Sequence, residues 1–149
     1  MISLDQFLSR VKSEGFRERC QEICDQLHAQ DSRYDWVGIY WLGGDVLVLG
    51  PWSGRHATGH VRIPIGEGIC GAAVREAGTI IVKDVRSDPR YLACFTETRS
   101  EIVVPIRAQG HVVGEIDIDG REIAAFHDSD RHFLEALADH IGSLWPGEW

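Results

Sequence analysis

"SEIVVPIRAQGHVVGEIDID", Ser100 to Asp119, sets two apolar, branched runs on either side of a short polar connection, and its reading decides the fold. Alternating side chains around a glycine-bearing break describe a β-hairpin. A three-residue loop at Ala108, Gln109 and Gly110 puts Arg107 opposite His111. Ile106 then faces Val112, Val104 faces Gly114 and Ile102 faces Ile116, so one side of the ribbon is apolar or small throughout. On the other side Val103 opposes Glu115, Glu101 opposes Asp117 and Arg99 opposes Asp119. Like charges directly opposite one another destabilise a sheet, and no lysine on that side relieves them. Either this face is wet, where acids are ordinary, or it is a site. An ammonium ligand, a metal ion or a proton-donating role would each suit clustered carboxyls.

Immediately upstream, Arg86 to Arg99 has no period and reads as a long irregular segment, a type that often carries function. It holds Cys94, seven residues before Glu101, with Arg86, Arg90 and Arg99 near in sequence. Cationic neighbours lower a thiol pKa and favour the nucleophilic thiolate. Cys70 lies in "GEGICGAAV", at the start of an expected helix that ends at Gly78. There the helix dipole favours a thiolate, while Ile69, Ala72, Ala73 and Val74 equally suit a small buried residue.

Further out, "YDWVGIYWL", "GGD" and "VLVLGPW" form a second hairpin, with "HVRIPI" and "TIIVKDV" as the remaining strands. From Ser3 to Ala29 the chain reads as helix, with Gly15 as a bend or interruption. Phe16, Cys20, Ile23, Cys24 and Leu27 share one apolar stripe, so Cys20 and Cys24 are packing residues. A last helix carries Phe133, Leu134, Leu137, Ile141 and Leu144 on its inner face. The order α-β-β-β-α-β-β-β-α over residues 1–149 predicts a single α+β domain, an antiparallel sheet flanked by N-terminal, central and C-terminal helices.

With 15 basic against 23 acidic residues the chain offers nucleic acid no electrostatic footprint. No apolar run is long enough for a membrane span and no signal-peptide pattern opens the chain, so a cytoplasmic protein is expected. Four cysteines without a C-x-x-C pair, and histidines at no finger spacing, predict neither a disulfide framework nor a metal site.

"DWVGIYWL", "LVLGPWSG", "VRIPIGEGICGAA", "YLACFTETRSEIVVPI" and "GEIDID", in that order, resemble the free methionine-(R)-sulfoxide reductases, which are stand-alone GAF domains. The resemblance implies a GAF-like, six-stranded antiparallel sheet, usually in a homodimer. It implies thiol-dependent reduction of a free sulfoxide through sulfenic acid and disulfide intermediates, with no bound cofactor and thioredoxin as external reductant. Cys94 matches the family's nucleophile, and Cys70 matches a further cysteine of the motif and is a candidate resolving thiol. Glu101, Asp117 and Asp119 match acids around the substrate, and Trp36 and Tyr40 match the pocket wall. Two positions depart from the pattern. The family carries another cysteine in the segment matching "GRHATGHVRIP", where this chain has Thr58 or His60, and Phe95 stands where aspartate is usual. These departures keep a second reading open, a non-catalytic GAF domain that binds a small amino-acid-like ligand.

Overall fold

The protein was analysed as a computed structural model that describes residues 2–93 and 95–149. Its described elements run α1 (Leu4–Ser9), α2 (Phe16–Gln30), β1 (Trp36–Gly43), β2 (Val46–Gly54), β3 (Arg62–Pro64), α3 (Gly68–Glu76), β4 (Ile80–Val82), β5 (Ser100–Ala108), β6 (His111–Gly120) and α4 (Asp128–Ser143). The six strands form one antiparallel sheet in the order β3-β2-β1-β6-β5-β4. Among the described residues no helix is long and apolar enough to cross a membrane.

The expected N-terminal helix is two helices. Gly15 does not bend a continuous rod but stands at the start of α2, in extended backbone. The Glu22 carboxylate accepts the Lys12 and Ser13 backbone N–H groups, both at 2.9 Å, which satisfies donors that a broken helix would otherwise leave open. The α3 terminus also differs by one residue, since Ala77 rather than Gly78 takes the left-handed conformation, at φ +50°.

The last hairpin has a two-residue turn, Gln109–Gly110, with φ +53° and +81°, the sign that a tight primed turn requires. Ala108 therefore pairs with His111, one position off the expected register. A bulge then leaves Val113 unpaired, since Arg107 meets Val112 while Ile106 meets Gly114. The two displacements add to a shift of two residues. Because side chains repeat every second residue, each residue keeps its face but changes its partner. Glu101 faces Asp119, Val103 faces Asp117, Ile102 faces Ile118, and Arg99 lies beyond the paired residues.

Two cores result, one on each side of the sheet. Val37, Ile39 and Trp41 of β1, with the isoleucines and Val104 of β5 and β6, pack against α1, α2 and α4. Cys20 and Cys24 are buried there, and burial pushes the Cys20 thiol pKa up to about 12, partly offset by Arg19. They are packing residues. The opposite face carries Trp36, Tyr40, Val82 and Val103 under Ile69, Cys70 and Ala73 of α3. A knot of charge holds α4 in place. Burial works against ionisation of Asp130, but Arg33 hydrogen bonds at 2.8 and 2.9 Å and a Tyr34 hydroxyl at 2.6 Å outweigh it and hold the carboxyl below its usual pKa.

Candidate active site

Register gathers the acids. Trp36, Gly38 and Tyr40 of β1 sit opposite Asp119, Asp117 and Glu115 of β6, and Glu101 of β5 sits opposite Asp119 from the other side. All four carboxyls therefore share the α3 face of the sheet. That face is covered: Glu101 is 4% exposed, Glu115 0%, Asp117 1% and Asp119 2%. The alternative of a wet sheet surface is thereby removed. Glu115 was not singled out from the sequence as a site residue, although the alternation Glu115, Asp117, Asp119 in "GEIDID" already placed it on this face.

Burial raises the pKa of Glu115 and Asp119 well above the carboxylate range and raises that of Asp117, with Asp117 adding charge repulsion at both neighbours. Glu101 and Cys70 stand within hydrogen-bonding reach of the Asp117 carboxyl and pull it partly back. One donor atom each from Cys70, Glu101 and Asp117 lie within 4.8 Å of one another. The Cys70 thiol is also a neighbour of Glu115, close enough to lower its pKa, yet neither Glu115 oxygen has a hydrogen-bond partner of good geometry among the described residues. The same holds for Asp117 Oδ1. Orphaned buried oxygens are costly, so the arrangement suits a ligand that brings donors. The Cys70, Glu101 and Asp117 trio could also offer ligand atoms to a cation, but burial raises the pKa of Cys70 and Asp117, and both must first release their protons.

Of the two readings of Cys70, the small buried residue is the one the fold supports. Burial, followed by the charges of Asp117, Glu115 and Glu101, pushes its thiol pKa well above 9.0. Desolvation and three acidic neighbours outweigh one helix dipole.

Aromatic side chains close the outer end. The Trp36 ring lies across Gly38, where a Cβ would come within 2.3 Å of the indole, so only glycine fits. Trp36 stacks on Trp52 at 6.3 Å and meets Phe95 at 5.9 Å. A depression bounded by Asp35, Trp36, Arg55, His56, Phe95 and Glu97 leaves ≈ 10 Å³, room for about one water. Arg55 pairs with Asp35 at 3.2 Å on its rim.

Cys94 lies outside the described residues. Of the arginines near it in sequence, Arg90 is paired with Asp88 at 2.8 Å and Arg99 with Asp84 at 3.4 Å. Tyr40 is fully buried, and its hydroxyl donates to the His60 carbonyl at 2.8 Å. Thr58 is buried, His56 is exposed, and the His60 ring meets the Ala93 carbonyl at 2.7 Å instead of standing free in solvent.

The sequence matches the family model of the GAF domain over residues 15–144. The chain belongs to the GAF domain family. The GAF chain is 39% identical over 107 residues to the free methionine-R-sulfoxide reductase of Escherichia coli, a match covering 72% of this chain and 64% of that protein. The match thus spans a little under two thirds of that relative's length. Among solved structures, a type II free methionine-R-sulfoxide reductase from Thermoplasma acidophilum superposes with a TM-score of 0.84 at 41% identity, over 95% of this chain and 94% of that one. The free methionine-R-sulfoxide reductase of Neisseria meningitidis, in complex with its substrate, gives 0.86 at 35% identity, over 93% and 83%. The fold and the family read from the sequence are therefore those of the protein.

Proposed function

We propose that this GAF domain reduces free methionine-(R)-sulfoxide, with Cys94 as nucleophile and the buried carboxyls as ammonium site and proton source. The single observation that carries the reading is the set of four buried carboxyls under α3, two of them with oxygens that lack partners among the described residues. The likeness to proteins named for this activity supports it.

The Cys94 thiolate attacks the sulfoxide sulfur, and the sulfoxide oxygen takes a proton from a carboxyl that burial has kept protonated. The oxygen passes from the substrate sulfur to the Cys94 sulfur as the substrate S–O bond breaks, the S–S bond formed by the attack breaks with its electron pair left on the methionine sulfur, and methionine departs from a Cys94 sulfenic acid. A second thiol then displaces that oxygen as water and forms a disulfide, which an external dithiol reduces. Asp117, within reach of Glu101 and of Cys70, is the proton source. Asp119, beside Trp36 at the outer end, receives the ammonium. Cys70 is a poor resolving thiol near neutral pH, because attack requires the thiolate and its pKa is raised. An external dithiol of the thioredoxin type resolves Cys94 directly.

The pocket accounts for selection of a free amino acid. N-acetyl-methionine-(R)-sulfoxide brings no ammonium and leaves the carboxyls unpaired. Its kcat/KM is expected to fall about 10- to 100-fold below that of the free sulfoxide, the cost of losing a charge-assisted hydrogen bond. Steady-state assays with a dithiol reductant compare the two. Equal rates would sink the ammonium role of the acids.

A further inference from the structure

Cys70, Glu101 and Glu115 have no assigned step in the chemistry described above, yet all three gather around Asp117 beneath α3. They come from three regular elements: Cys70 stands in the first turn of α3, Glu101 on β5, and Glu115 with Asp117 on β6. None of the four is more than 5% exposed. One donor atom each from Cys70, Glu101 and Asp117 lie within 4.8 Å of one another. Donors held by a single zinc-sized ion at about 2.0–2.3 Å are at most about 4.6 Å apart, so a small closing movement lets the three share one.

Glu115 is an independent sign of the same ligand. It stands outside that trio and is fully buried beside the Cys70 thiol, and neither of its oxygens has a hydrogen-bond partner among the described residues. Asp117 Oδ1 is orphaned in the same way. Acceptor oxygens without donors, packed against a sulfur, are satisfied together by a positive ion. An ammonium group would use the oxygens and leave the sulfur idle, whereas a thiophilic cation uses both. Ordinary core packing does not place a thiol this way. In the opposite core the Cys24 thiol donates to the Pro51 carbonyl at 3.7 Å among apolar neighbours, while Cys70 has three carboxyls around it. A sulfur among carboxylates selects a borderline-soft divalent ion such as Zn²⁺ over Mg²⁺ or Ca²⁺, which take oxygen alone. No finger-type spacing marks the site in the sequence, because its donors are brought together only by the sheet and α3.

We propose that Cys70, Glu101, Glu115 and Asp117 form a site for a zinc-like divalent cation, and that the bound cation, by engaging Asp117, blocks sulfoxide reduction. The site stands independently of the reductase reading. Only the blocking action rests on it, since there Asp117 is the proton source. Binding releases the protons of the thiol and the carboxyls as the metal takes their place.

Cobalt(II), added without oxygen to the pre-reduced protein, is the probe, because a cobalt–thiolate bond gives an intense charge-transfer absorption that carboxylates do not. The absorption is expected to saturate at one cobalt per chain, to persist in Cys94→Ser and to be absent in Cys70→Ser, with thermal midpoints showing that each variant folds. Glu115→Gln is expected to weaken cobalt binding at least about tenfold, the cost of losing even an outer partner of a bound metal. No absorption, absorption that survives in Cys70→Ser, or absorption lost in Cys94→Ser would overturn the site. Affinity within about twofold in Glu115→Gln would remove Glu115 from it. Zn²⁺ at about ten times its dissociation constant is expected to slow single-turnover methionine release about tenfold, and to change the rate of Cys70→Ser by less than about twofold. Equal inhibition of both proteins would overturn the blocking action. The cobalt measurement does not depend on turnover. If the unsubstituted protein bound cobalt through Cys70 but released no methionine, the reductase reading would fail and the metal site would stand.

Discussion

Asp117→Asn is expected to slow single-turnover sulfoxide reduction by about 10²- to 10⁴-fold, the range for loss of a general acid, while raising stability at neutral pH by ~1–3 kcal/mol. The two effects have one cause. Asp117 is 1% exposed, its Oδ1 has no partner among the described residues, and burial raises its pKa. A carboxyl in that state is a ready proton donor and also a strain on the fold. Asparagine keeps the shape and can donate an N–H toward Glu101, but it has no acidic proton to deliver. Urea unfolding and rapid-quench methionine release on the same sample measure the pair. Loss of activity together with loss of stability would mean that Asp117 serves the fold instead of the chemistry.

Stability should also fall as pH rises from about 4.5 toward 8, by roughly 1.4 kcal/mol per pH unit for each extra proton the native state holds. The sign follows from the direction of the shifts. Glu115, Asp117 and Asp119 all have native pKa values raised above their ordinary values of 4.5, 3.8 and 3.8. Between the ordinary and the raised value the folded chain binds more protons than the unfolded chain, so each unit of pH favours unfolding. Asp31 and Asp130 are shifted the other way by Arg33 and contribute stability that is lost only as pH falls through and below 3.8. A maximum on the acid side of neutrality results. Glu115→Gln removes one of the three carboxyls and should flatten the slope above the maximum. Urea midpoints across this range provide the check, and stability that climbs with pH from 4.5 to 8 would contradict burial of protonated acids.

Much of this site was legible in the strand pattern. Glu101, Asp117 and Asp119 fall on one face because the side-chain period is two, and that survived a wrong register. The turn was one residue shorter than expected and the bulge at Val113 added another, so the errors summed to an even number. Had either occurred alone, the acids would have pointed into the opposite core. Whether the face was wet or covered could not be read from the strands. It depends on α3 and on Leu92 and Phe95 folding over from elsewhere in the chain. The Cys70 thiol shows the same limit, since local sequence displays the helix start and not the three carboxyls that surround it. In the expected register Glu115 lies opposite the apolar Val103, which hides its place among the acids. In the fold Pro105 is its β5 partner and Tyr40 its β1 partner.

Joint action of the buried acids and Cys94 on a free sulfoxide is the core of the proposed function. Its most direct test is release of methionine from free methionine-(R)-sulfoxide by the pre-reduced protein in a single turnover, without added reductant, beside Cys94→Ser and Cys70→Ser. Stoichiometric release by the unsubstituted protein and by Cys70→Ser, absent in Cys94→Ser, is the expected result. Binding of the sulfoxide without release of methionine by the unsubstituted protein would contradict the account and leave a GAF domain that holds the ligand without turning it over.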